Sequence, residues 1–349
     1  MQAAGAHSMT FTGSAKSRFF VALSLAAFLA ASTGCGSGIH SAGEATSGTA
    51  LTAPRGPQLG YFWNAADQTL RPVLGIAGAS QVGASVVSAG AYRNGAGSAG
   101  NGIGVLEQQD GSLDIIALPS GAPSHFAASA PDHSNIRFSP NGKAAIVYAA
   151  GQSGIIVLTA LDTTPVAASL ATTASLSDAA VSDTGRVVVA TSSAAGMSLQ
   201  SISASGTART LAQAGALGGF SFGNGDDLYF ADAATNQLYF IHNESAAATV
   251  AQISTSSLLR TPAALAVSAG GQWLVAINSA ESSVVRIDLT GQNAPLLLTC
   301  ACTPTTAAAL SGAGRFRITE PGTGPLWAVD SVTATPRTFF IPALPVVKK

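Results

Sequence analysis

The chain has 349 residues, with 16 Lys plus Arg against 17 Asp plus Glu, and a formal net charge of −1. Charged residues make up 9% of it, against roughly 25% in an average soluble protein, while hydrophobic residues reach 47% and aromatics only 6%. So little basic charge excludes a nucleic-acid binder, which needs a cationic face to displace counterions. Abundant Val, Ile, Leu and Ala at low charge argue against disorder, and the length suffices for a large core.

Lys16 and Arg18 precede an apolar run of thirteen residues, 19–31, broken only by Ser24. That is too short to cross a bilayer, which takes roughly 20 residues. A basic start, a short apolar run and then small residues have the layout of a secretory signal peptide over 1–34, with Met9 as an alternative start. Residues 36–57, rich in Gly, Ser, Ala and Thr, read as a flexible tether. Without residues 1–34 the chain keeps 14 basic and 17 acidic residues, a net of −3, and nothing in it invites a polyanionic partner.

From residue 58 onward the sequence repeats. Phe138-Ser-Pro-Asn-Gly142, Val181-Ser-Asp-Thr-Gly185, Phe222-Gly-Asn-Gly-Asp226, Val267-Ser-Ala-Gly-Gly271 and Leu310-Ser-Gly-Ala-Gly314 each place a four-residue turn after an apolar anchor, at spacings of 43, 41, 45 and 43. After each turn come two short β-rich runs, 145–148 with 155–158, 187–189 with 198–202, 228–230 with 238–241, 273–277 with 284–287, and 315–318 with 326–329. Two earlier hairpins match them, 61–63 with 70–74 and 103–106 with 113–118, which makes seven units. A period in the forties with about four short strands per unit predicts an all-β fold, a β-propeller of seven four-stranded blades over 58–349. Six or eight blades stay open because 78–101 is irregular and glycine-rich. The closing blade is expected to mix N- and C-terminal strands, with 337–341 outermost. A transmembrane barrel is excluded, since its strands would run about 9–11 residues between aromatic girdles.

Two resemblances arise from these residues. Ser32-Thr33-Gly34-Cys35 resembles the lipobox of bacterial lipoproteins, with Ser32 standing where the family usually carries Leu, Val or Ile. The resemblance implies a lipid on Cys35 and, without Asp at position 36, outer-membrane sorting in a Gram-negative cell. Ordinary signal-peptidase cleavage would instead leave Cys35 a stray thiol. The repeats resemble YVTN-type and WD40-like bacterial propellers, most closely at Phe138-Ser-Pro-Asn-Gly-Lys143 and in the pair of runs ending at Asn278 and at Asp288-Leu289. This resemblance covers about 280 residues and implies a fold more than a function.

If the anchor turns join first and second strands on one face, the other face carries the remaining candidates. Asn64, Asp232, Asn278 and Glu320 end second strands at equivalent places. They read either as part of a ring of ligands for a hard cation or sugar, or as caps of the adjoining turns. The connection 119–135 holds His125, Asp132 and His133, which suit a metal or acid–base chemistry, or else a plain surface loop. Cys300 and Cys302 suggest a disulfide in an oxidising compartment, with free thiols and a thiolate metal or redox site as the other readings. No cofactor is expected. The resulting expectation is an exported, lipid-anchored monomer that serves as a non-catalytic binding or scaffold module at the cell envelope, taking a small ligand or an envelope protein, with no nucleic acid. The alternative is an enzyme resembling the lactonase or lyase propellers, working through His125, Asp132 or His133 with Glu320.

Overall fold

A computed structural model describes residues 56–343 apart from 195, 243–248, 254, 256, 313 and 323. The signal segment 1–34, Cys35 and the tether up to residue 55 lie outside the described residues.

Seven antiparallel sheets succeed one another along the chain. The first holds β1 (Gln58–Asn64), β2 (Thr69–Ile76) and β3 (Ala79–Val82). The second holds β4 (Tyr92–Gly97), β5 (Ile103–Gln108), β6 (Ser112–Ala117) and β7 (Ser124–Ser129). The third comprises β8 (Asn135–Phe138), β9 (Ala145–Tyr148), β10 (Gly154–Thr159) and β11 (Val166–Ala171). The fourth comprises β12 (Leu176–Val181), β13 (Val187–Ser193), β14 (Gly196–Ile202) and β15 (Ala208–Ala214). The fifth is β16 (Leu217–Phe222), β17 (Leu228–Asp232), β18 (Gln237–Ile241) and β19 (Val250–Ile253). The sixth is β20 (Pro262–Val267), β21 (Trp273–Asn278), β22 (Ser283–Asp288) and β23 (Leu296–Thr299). The seventh is β24 (Ala308–Ser311), β25 (Arg315–Arg317), β26 (Leu326–Asp330) and β27 (Arg337–Ile341). Among the described residues the only helical segments are two 3-10 turns, Asn224–Asp226 and Ser279–Glu281.

The short unbroken apolar runs have a simple cause. The middle strands are covered on both faces, so every residue of β9, β21 and β22 is buried, and a strand covered twice has no solvent side to mark with polar residues. One apolar cluster fills each seam between neighbouring sheets. Ala144, Ile146, Leu176 and Val189 join the third to the fourth. Val188, Leu199, Phe220 and Phe230 join the fourth to the fifth. The last cluster joins Leu310, Ala328 and Phe339 of the seventh sheet to Leu59, Phe62 and Val73 of the first, and so closes the ring.

Closure corrects one expectation. Residues 337–341 do form an outer strand, but their sheet is built wholly from β24–β27, and the first sheet wholly from β1–β3. Among the described residues no blade mixes the two ends of the chain. Among the described residues the first blade has three strands where each of the other six has four. Its β1 takes the innermost place but runs the opposite way. The backbone of Gly97 lies against Tyr61 and that of Gly95 against Trp63, in reversed order, whereas Gly218 and Gly219 meet Pro262 and Ala264 in the same order. Asn64 therefore ends β1 on the face opposite the anchor turns, as the sequence expected of it.

The anchor turns bind one another across the axis. Gly270 N donates to Asn141 Oδ1 (2.9 Å), joining the third and sixth blades over 129 residues of chain. Asn141 Nδ2 donates to Asp183 Oδ2 (2.7 Å) and to Asn224 Oδ1 (3.4 Å), and Asn224 Nδ2 to Gly270 O (2.5 Å). Asn101 Nδ2 donates to Gly142 O (2.5 Å). Gly142 has φ 72°, and a Cβ there would overlap Ser98 Oγ, so glycine is required for both its conformation and the close approach. Gly312 of the seventh blade sits against Ala269 and Ala99. Turns of six blades thus meet at the centre and close that end of the channel.

Candidate functional site

The channel is a cup open at the other end. It encloses about 510 Å³, and the strands facing it supply small residues such as Gly95, Ala96, Gly219, Ala264 and Ala309 because seven backbones converge there. Trp63 also lines the cup, its ring occupying the space that Gly95 leaves for want of a side chain.

One charged group crosses the interior. Arg137, on β8, donates through Nη1 to Asp178 Oδ1 (2.8 Å), Asp178 Oδ2 (3.0 Å) and Ala179 O (3.1 Å), and through Nη2 to Phe220 O (3.0 Å). It therefore ties three consecutive blades together. The Tyr148 hydroxyl donates to Asp178 Oδ1 as well. Burial works against the Arg137 charge, but the Asp178 carboxylate outweighs it and holds the guanidinium protonated beyond its usual range. Burial raises the Tyr148 hydroxyl well above the ordinary phenol range. The Arg137 side chain keeps 31% and that of Asp178 28% of its exposure, all that the cup allows them.

At the rim Arg317 pairs with Glu320 (3.0 Å), which is 64% exposed. On the second blade Arg93 bridges Glu107 (2.5 Å) and Asp132 (2.9 Å). Glu107 is 1% exposed, and Ser134 Oγ donates to its other oxygen at 2.5 Å, so this buried carboxylate is fully engaged.

The expected site residues separate into local pairs. Asn64 Oδ1 accepts from Ala66 N (3.2 Å). Asp232 Oδ1 accepts from Ala216 N (3.1 Å) and Ala234 N (3.0 Å); burial opposes the charge, and these backbone N–H groups outweigh it and lower the carboxyl below its usual range. Asn278 accepts from Arg260 N (2.8 Å) and donates to Leu258 O (2.9 Å) and Ser283 Oγ (3.1 Å). Each holds the backbone of an adjoining turn. Of these four, Glu320 lines the cup.

The connection 119–135 contains the outer strand β7, which carries His125, while Asp132 and His133 lie in the turn between β7 and β8. His125 stands on that strand 3.2 Å from Asp114 Oδ1, 60% exposed. Asp114 also receives the Tyr92 hydroxyl at 2.9 Å; burial first, then this bond, pushes Tyr92 up to about 12. Asp132 belongs to Arg93, and His133 is exposed at φ 56°. Among the described residues no three His, Cys, Asp or Glu side chains group closely enough to hold a metal. Cys300 and Cys302 form a disulfide, Cα to Cα 5.1 Å, packed at the seam of the sixth and seventh blades.

Sequence reading missed Arg137, Asp178 and Tyr148. The signal for Arg137 was present: the residue before the anchor is Ala180, Ser221, Ala266 and Ala309 in the other repeats, and a lone arginine in that column stands out. Asp178 and Tyr148 had no such signal, because what matters is that their blades place them against Arg137.

No protein-family model matches the chain, and no curated protein sequence matches it. Solved structures do resemble it. A functionally unknown protein from Desulfotomaculum acetoxidans is 14% identical, with 82% of this chain and 95% of that one covered at a TM-score of 0.56. Virginiamycin B lyase from Staphylococcus aureus is 14% identical over 71% and 82% of the chains, at 0.49. A putative 6-phosphogluconolactonase from Bacteroides uniformis is 15% identical over 66% and 78%, at 0.47. At these identities the likeness to the first of them is one of fold, and the chain is a seven-bladed β-propeller.

Proposed function

We propose that the chain is an exported, lipid-anchored binding module of the cell envelope that takes a small, uncharged or zwitterionic polar ligand in the open cup. The observation carrying this reading is charge pairing around a closed-ended cavity. Arg137 is matched by Asp178 inside and Arg317 by Glu320 at the rim, so the cup has no net charge to balance an ion. Its Arg137 donors and the spare acceptor capacity of Asp178 Oδ2 suit a ligand that both accepts and donates. The export and lipid assignments rest on the basic and apolar pattern of 16–31 with Cys35 after it.

Catalysis would need convergent groups. His125, Asp132 and Glu320 are instead engaged with Asp114, Arg93 and Arg317 respectively, and this supports binding over turnover. Growth with a labelled fatty acid tests the address: label is expected on the wild-type chain and lost in Cys35→Ser. An unlabelled, freely soluble chain would overturn it. Hydrolysis or elimination of a lactone by the purified chain, lost in Asp132→Asn, would overturn the non-catalytic role.

A further inference from the structure

The walls of the cup differ, and the difference specifies a ligand. On β8, Asn135 and Arg137 stand two residues apart and so share one face of the strand. Tyr148 lies directly across from Asn135 on β9, on that same face. Asp178 of the fourth blade completes the group against Arg137 (2.8 Å). Asn135 stands at the strand's open end, because the anchor turn follows Phe138 at the other. All four line the cup.

Most of their hydrogen-bonding capacity is taken, and what remains is mixed. A guanidinium has five N–H donors. Nη1 of Arg137 uses both of its own on Asp178 and Ala179 O, and Nη2 uses one on Phe220 O. Nε and the second Nη2 donor remain. Asp178 Oδ1 is filled by Arg137, by Tyr148 and by Ala179 N (2.8 Å). Its Oδ2 holds the longer Arg137 contact (3.0 Å) and keeps room for another donor. Among the described residues the exposed Asn135 amide has no hydrogen-bond partner. This wall therefore offers donors and acceptors side by side, on charged groups that already balance each other.

Across the channel the first blade presents Trp63, half-buried and lining the cup next to Gly95 and Ala96. An indole takes an apolar ring face. A ligand that suits both walls has an apolar face on one side and adjacent hydroxyls on the other, each hydroxyl both donating and accepting. A zwitterion suits them less. Arg137 and Asp178 would have to leave each other to balance its two ends, and breaking a shielded ion pair is costly. An anion meets Asp178 as well as Arg137.

We propose that the cup binds a neutral saccharide, with one pyranose ring stacked on Trp63 and a vicinal diol shared among Arg137, Asp178 Oδ2 and Asn135. The inference rests on the reading of the cup as a small-ligand site and narrows it to one chemical class. A cavity of about 510 Å³ lies within the range of about 300–1,000 Å³ usual for small-molecule pockets.

Titration of the purified chain with glucose, galactose, maltose, cellobiose, glycine betaine, serine, gluconate and phosphorylated glucose tests it, read by tryptophan emission and thermal unfolding. At least one neutral sugar is expected to change the emission and raise the midpoint. The emission change should vanish in Trp63→Phe, which leaves Trp273 and Trp327 in place. Asn135→Ala removes an amide that holds no described protein group; it should fold as the wild type does and bind that sugar about tenfold more weakly. His125→Ala, on the outer strand of the second blade, should leave binding unchanged. Sugar binding that survives both Trp63→Phe, with its emission change intact, and Asn135→Ala would overturn the inference. Binding of betaine or serine without a response to any sugar would overturn the saccharide and leave the cup reading standing. Gluconate or phosphorylated glucose bound more tightly than the neutral sugars would overturn it together with the charge-pairing argument. No response to any of these probes would overturn both the saccharide and the cup as a ligand site.

Discussion

The two ends of the channel are built from the same seven blades on opposite principles. At the turn end, side chains reach between blades: Asn141 bonds to three other blades, and Asp226 of the fifth takes Thr184 (2.7 Å) and Arg186 (2.8 Å) of the fourth. At the open end most polar contacts stay within a blade or join it to its neighbour, as in Arg317 with Glu320 or Asp232 with Ala234. A ring needs one end locked for its geometry to persist; the other is then free to vary in sequence and to accept a ligand. Contacts between blades carry stability, and rim contacts carry little.

The steepest expected loss comes from the group that joins three blades in the interior. Arg137→Met leaves Asp178 without its cation and Phe220 O without its donor, which should cost about 2–3 kcal/mol in urea unfolding. An effect below about 0.5 kcal/mol would mean that the interior pair is idle. Asn141→Ala at the locked end removes its bonds to Asp183, Asn224 and Gly270 at once, with an expected loss of about 2 kcal/mol.

Acid should act next. Burial opposes the Asp226 charge, but the bonds from Ser182, Thr184 and Arg186 outweigh it and hold its carboxyl below the usual range. A carboxyl depressed in the folded state contributes stability above its unfolded value of about 3.9 and loses it as pH falls through the folded value. The unfolding midpoint should therefore be steady between pH 7 and 5 and drop below about pH 4. Asp226→Asn should lower the neutral-pH midpoint and flatten the acid limb, and asparagine tolerates the φ of 65° found there. The smallest effect belongs to the rim. Glu320→Gln should change stability by less than about 0.5 kcal/mol, because Arg317 keeps its bond to Thr319 O (2.9 Å).

The fold was legible because period and turn chemistry are local: the Ser-Pro-Asn-Gly turn after Phe138 and its counterparts mark every joint between a first and second strand from the third blade on. The first blade was harder to read. The hairpin 61–63 with 70–74 is plain in the sequence, but that β1 turns inward and runs backward shows only in how Trp63 and Tyr61 pack against Gly95 and Gly97 of the next blade. The site was legible only in part. Asn64, Asp232 and Asn278 were singled out for their position, and position says nothing of whether a side chain faces the channel or bonds to its own turn. Arg137 and Asp178 lie 41 residues apart in sequence, and only the ring brings them together.

The central claim, a cup closed by its turns and open to ligand at the other face, is tested most directly by thermal unfolding of residues 36–349 with EDTA, Ca²⁺, Zn²⁺ and panels of sugars, lactones and zwitterions. A ligand at 100 times its Kd stabilises by about 2.7 kcal/mol. The account predicts a rise with one uncharged or zwitterionic class, unaffected by EDTA and abolished in Trp63→Ala. A rise with a metal ion, or one that survives Trp63→Ala, would contradict it.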